Sequence, residues 1–163
     1  MPTNNYGNYG NGNRSGNYAN NRTGNQGGYQ NNTPRTTEPM NLPADYVDKA
    51  EEIMSRLMGQ QRSRLTTTKL RSILSIVSDI YNREVGRLSE KELTDEDQTA
   101  VQMLRVRIAY ETRRDQNVEK FVNEAHLLEY IKGLGRDRKK FLAFSHYMEA
   151  LVAYHRYYGG AEK

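Results

Sequence analysis

The 163-residue chain has no cysteine and no tryptophan. Without cysteine there is no disulfide framework, no thiolate zinc site and no thiol nucleophile, which fits a reducing compartment. No apolar run approaches the roughly 18–20 residues of a membrane span, and the N-terminus lacks the charged and apolar regions of a signal peptide. A soluble cytoplasmic protein is the expectation. Net charge is small as well. Lys+Arg number 24 against 20 Asp+Glu, a net of +4, which does not by itself announce nucleic-acid binding.

Apolar residues are also few, at 36%, but the shortage is local. Residues 1–40 hold 11 Asn, 7 Gly and 4 Tyr, with no Leu, Ile, Val or Phe. Such a segment cannot offset the ordering entropy of a packed core, so a disordered, low-complexity Asn/Gly/Tyr-rich tail is expected over 1–40. Its Tyr residues, interleaved with Asn, Gly and a few Arg, resemble polar–aromatic segments that stack weakly on bases. Residues 41–163 carry 51 hydrophobic residues, about what one soluble domain needs. Half of the net charge belongs to the tail, through Arg14, Arg22 and Arg35 against Glu38.

In 41–163 the apolar spacing is helical almost throughout. Leu42-Pro43 opens a first helix carrying Val47, Ala50, Ile53, Met54 and Leu57, and Gly59 stops it. Thr66-Thr67 cap a second, with Leu70, Ile73, Leu74, Val77, Ile80 and Tyr81 on one face, running to about Val85. Thr94-Asp95-Glu96-Asp97 starts a third, its acids complementing the helix dipole. Asn117 caps a fourth, carrying Phe121, Val122, Ala125 and Leu128 and ending near Gly133. The fifth runs from about Asp137 to Tyr158. The expected fold is all-α, a compact bundle of about five helices behind the tail. The third helix is apolar on two sides, with Val101, Leu104 and Ile108 nearly opposite Met103, Val106 and Tyr110. Such a helix is central in its bundle or pressed against another molecule.

Catalytic constellations are missing. His126, His146 and His155 are not paired at three or four residues, so they make no helical metal site. His155 lies on an apolar face and reads as a satisfied core histidine. The turn Gly133-Leu134-Gly135-Arg136 lacks phosphate-loop spacing, although its backbone N–H groups could meet a phosphate. Glu90, Glu92, Asp95, Glu96 and Asp97 read as loop and cap residues. Tyr147, Tyr154 and Tyr158 read as core margin or subunit contact. No catalytic residue, metal ligand or cofactor site is expected.

The cations cluster. Arg56, Arg62, Arg64, Lys69 and Arg71 fall in a stretch without acids. Arg105, Arg107, Arg113 and Arg114 follow on the third helix, then Arg136, Arg138, Lys139 and Lys140 before the fifth. Such groups suit phosphate contacts, which give affinity without sequence reading.

Three ordered blocks carry a resemblance. LTTTKLRSILSIVSDIYN (65–82), LRVRIAYETRRD (104–115) and FLAFSHYMEALVAYHRYYGG (141–160) resemble the small helical subunit of type III-A CRISPR–Cas effector complexes, the Csm type. The likeness runs from about 43 to 160, while the tail has no counterpart in the family's shared core. The resemblance implies a non-catalytic RNA-associated scaffold. Several copies would stack beside the backbone subunits, forming the groove for the guide RNA–target RNA duplex and contacting it through basic side chains. Target-RNA cutting would belong to the backbone subunits, and DNA cleavage and cyclic-oligoadenylate synthesis to the large subunit. Carried over by position, Lys69, Arg71, Arg105 and Arg107 are the expected RNA-binding residues, followed by Arg64, Arg138 and Lys139. The expected partners are guide (CRISPR) RNA, target RNA, the backbone and large subunits, and neighbouring copies, with no membrane. The competing expectation is a helical protein-interaction adaptor or homodimer whose basic faces are only solvated.

Overall fold

Side-chain caps begin the helices where a short polar residue precedes a periodic apolar run. A computed structural model describes residues 37–59 and 65–160. Within these lie six helices: α1 Tyr46–Gly59, α2 Thr67–Glu84, α3 Asp95–Arg114, α4 Gln116–Glu124, α5 Leu127–Leu134 and α6 Arg138–Tyr157. Thr66 accepts from the Lys69 N–H, Thr94 from the Asp97 N–H at 3.0 Å, and Asp137 from the Lys140 N–H at 2.9 Å. Each satisfies a helix-start donor that has no partner within its own helix.

The all-α class is as expected, and the helix count differs by one. The run read as a single fourth helix breaks at Ala125-His126, where His126 sits in the left-handed region at φ 50°. The Tyr147 hydroxyl on α6 donates to the Ala125 carbonyl at 3.0 Å, taking up an acceptor that a continuous helix would have used. Past the break the helical phase shifts, so Leu127 is fully buried while Leu128 is only partly so. The cap of α4 is Asp115 rather than Asn117. Its carboxylate accepts from the N–H groups of Asn117 at 2.8 Å and Val118 at 3.3 Å.

α6 is covered most widely, and α1 and α2 both pack against it. Phe141, Phe144, Met148 and Leu151 are wholly shielded from solvent, each worth about 1.5–3 kcal/mol as an upper estimate. Tyr147 joins them, edge-on to Tyr46 and Tyr130. Burial raises the Tyr147 phenol well above its ordinary range. His155 is the expected core histidine. Its Nε2 meets the Leu65 carbonyl at 2.9 Å, its Nδ1 lies 3.4 Å from Thr67 Oγ1, and burial lowers its pKa.

Residues 37–40, assigned to the tail by composition, lie against α5. The Met40 N–H donates to the Glu129 carbonyl at 3.0 Å, and Lys132 Nζ donates to the Thr37 carbonyl. A side chain at Gly133 would bring its Cβ within 1.8 Å of the Met40 carbonyl oxygen, so the close approach requires glycine there. The readings made on residues 1–36, and on Arg62 and Arg64, lie outside the described residues.

Candidate nucleic-acid interface

α2 and α3 run antiparallel, with an ion pair near each end of their seam. Lys69 Nζ donates to Asp115 at one end, and Arg83 clasps Asp97 at the other, its Nε donating at 2.7 Å. The Lys69 ammonium, followed by the N–H groups of Asn117 and Val118, holds the Asp115 carboxyl down at about 2 against the opposing effect of burial. Lys69 therefore joins α2 to the α3–α4 corner.

Helix geometry divides the expected basic pairs. Residues two apart on an α-helix are separated by about 200° and never share a face. Lys69 lies on the α3 side of α2, together with Ile76. Arg71 is exposed on the opposite flank, toward the side where Tyr81 meets His146 of α6 at a centroid distance of 5.6 Å. Arg107 lines the α2/α3 groove, and Arg105 lies on the far flank of α3, where it meets Gln102 of its own helix at 3.4 Å.

Among the described residues, Arg138 is placed unlike the other expected RNA-binding ones. It is 5% exposed, and its guanidinium donates to the Glu84 carbonyl at 2.6 and 2.9 Å and the Val85 carbonyl at 3.3 Å, with the Glu84 carboxylate at 3.5 Å. The side chain caps the C-terminus of α2, a helix end that favours a cation. Glu84 is completely buried and also receives Arg87 at 2.7 Å and the Thr94 N–H at 3.1 Å. Lys139, the next residue, is exposed.

The acids before and within the first turn of α3 are engaged from inside the domain. Arg136 reaches Glu92 at 3.2 Å and Asp95 at 2.7 Å, and Asp97 is buried under Arg83. They serve as cap and tie residues, as their position in the sequence suggests.

The other end of α3 is different. From 104 to 114 there are four arginines and one acid, Glu111. Glu111 is shared by Arg107 at 3.3 Å and Arg114 at 3.8 Å, and among the described residues Arg113 has no ion-pair partner. The second apolar stripe is open to solvent, with Met103, Val106 and Tyr110 each 58–59% exposed. α3 is therefore not the central helix. Ile76, Met103, Val106, Arg107, Tyr110 and Arg114 line a groove of about 550 Å³, in which the Arg114 guanidinium lies 5.4 Å from the Tyr110 ring centre. Arg113, Arg114 and Tyr110 were not among the expected RNA-binding residues. Their signal was present in the spacing, since 103, 106, 110 and 113 recur at three and four residues, and 107 and 114 lie seven apart, two turns along the helix.

Residues 41–161 match the family model described as Csm2 Type III-A. This chain belongs to the Csm2 type III-A family. A "CRISPR system Cms protein Csm2" of Streptococcus thermophilus is 37% identical over 120 residues, covering 72% of this chain and 94% of the relative. The protein of the same description from Mycobacterium tuberculosis (strain CDC 1551 / Oshkosh) is 38% identical over 119 residues, covering 73% and 95%. That from Enterococcus italicus is 32% identical over 96 residues, covering 58% and 68%. The small helical subunit suggested by three sequence blocks is thus shown at the level of the family. The Csm2 match spans all six helices and begins just before α1.

Proposed function

We propose that the chain is a non-catalytic, RNA-binding small subunit of a type III-A CRISPR interference complex in antiviral and anti-plasmid defence. In this reading it acts in the cytoplasm, and several copies sit along the guide RNA–target RNA duplex beside the backbone and large subunits. Each copy offers phosphate contacts through basic side chains and leaves sequence reading to base pairing. The observation that carries the reading is the uncompensated charge on the second half of α3, where four exposed or half-exposed arginines stand against one glutamate.

Arg107 and Arg113 on this surface are the leading contacts, with exposed Arg71 and Lys139 and half-exposed Arg105 as further cations on other flanks. Lys69 ranks below them because its ammonium is already held by Asp115. Assembly supplies the effective concentration that a single weak site lacks. The test is target-RNA affinity of assembled complexes carrying Arg107→Gln/Arg113→Gln, measured at several salt concentrations. Weaker binding is expected, with the salt slope reduced by about 0.7–0.9 for each phosphate that is no longer neutralised. Unchanged affinity and slope in the assembled complexes would favour the adaptor reading.

A further inference from the structure

The groove beside Tyr110 is more apolar than phosphate contacts require. Ile76, Met103, Leu104, Val106 and the Tyr110 ring line it, and Arg107 and Arg114 supply its charged rim. Three of these groups, Met103, Val106 and Tyr110, stay more than half exposed, an arrangement that marks a binding surface rather than a core edge.

Charge decides between kinds of occupant. Glu111 is the one acid lining the groove and is divided between two guanidiniums, so the rim keeps a surplus positive charge. A wholly apolar protein face seated here would desolvate that surplus without an answering anion, which is costly. A nucleotide satisfies both halves, with its base on the apolar and aromatic surfaces and its phosphate on the rim. The Arg114 guanidinium, placed over the Tyr110 ring and tied by Glu111, also offers a flat surface of the kind on which unpaired bases stack.

We propose that the Met103–Val106–Tyr110 groove binds an unpaired RNA base, with Arg107 holding an adjoining phosphate. The site rests on the RNA-binding reading and adds a distinct preference for single-stranded over fully paired nucleotides. Stacking is non-ionic, so it contributes affinity with little salt dependence, unlike the arginines around it.

The test uses the full chain with a fluorescently labelled eight-nucleotide RNA, alone and annealed to its complement, across a salt series. Tyr110→Ala is expected to weaken single-strand binding roughly tenfold, to leave the salt slope unchanged, and to alter duplex binding less than twofold. Tyr110→Phe is expected to retain single-strand binding. An equal loss on both RNAs, or no loss on either, overturns the base site while the Arg107→Gln/Arg113→Gln effect still supports RNA binding. A defect confined to assembly with other protein chains assigns the groove to a protein contact and also overturns it. If the unaltered chain binds neither RNA, and the arginine variant changes nothing in the assembled complex, the RNA reading itself fails.

Discussion

The two ends of α3 carry opposite charge and treat it in opposite ways. At the N-terminal end, Asp97 is buried beneath Arg83, and Asp95 joins Glu92 in binding Arg136. At the C-terminal end one glutamate serves two arginines, and Arg113 is exposed with no acid paired to it among the described residues. Both ends suit the helix dipole, acids first and cations last, so the dipole alone does not distinguish them. The difference lies in what the rest of the domain brings within reach. A charged run acts on a partner only where the fold leaves it uncompensated.

The largest effect that follows falls on a cation outside the contrast. Arg138→Ala leaves the Glu84 carboxylate buried with Arg87 and the Thr94 N–H and leaves the Glu84 carbonyl at the end of α2 without its donor, so a loss of about 2–3 kcal/mol is expected. A denaturant melt measures it. RNA affinity per folded molecule should stay unchanged, and a stable protein with weakened RNA binding would restore Arg138 to the interface.

Lys69 sharpens the comparison at an intermediate size. Asp115, held at about 2 in the folded chain against an ordinary value of 3.8, binds fewer protons folded than unfolded. Its contribution is therefore complete above pH 3.8 and lost as pH falls toward 2. Lys69 is partly exposed, so solvent screening reduces the contribution to about 1 kcal/mol. Lys69→Met should raise the Asp115 pKa, measurable by NMR titration, and shrink the acid loss of stability between about pH 4 and 2. A large fall in RNA affinity from the same variant would contradict its assignment as a tie.

The smallest effect belongs to Arg136, whose pairs with Glu92 and Asp95 lie open to solvent. Arg136→Ala should scarcely move the melting temperature or RNA affinity, since exposed pairs contribute little.

Much of the helical architecture was legible because four long stretches kept their apolar period, and tertiary packing chose no other state for them. The break at Ala125-His126 was not legible, since histidine is no helix stopper and the signal for it is a tyrosine hydroxyl from α6. Arg138 sat in a basic run and read as surface, while its partner Glu84 lies 54 residues away with no local trace. The split of Lys69 from Arg71, and of Arg105 from Arg107, was written in the two-residue spacing itself. The family blocks direct attention to the basic residues as a set, and the helical period says which of them share a surface.

In the proposed function, the surplus of arginines over acids at the end of α3 is what meets RNA, and cations elsewhere that are matched by their own acids do not. The direct test compares the salt dependence of target-RNA affinity in complexes carrying Arg107→Gln/Arg113→Gln with complexes carrying Arg83→Gln/Arg136→Gln, an equal change of charge. A flatter slope is expected for the first pair, lower by about 0.7–0.9 for every phosphate left without its arginine, and an unaltered slope for the second. Equal slopes for the two pairs would contradict it.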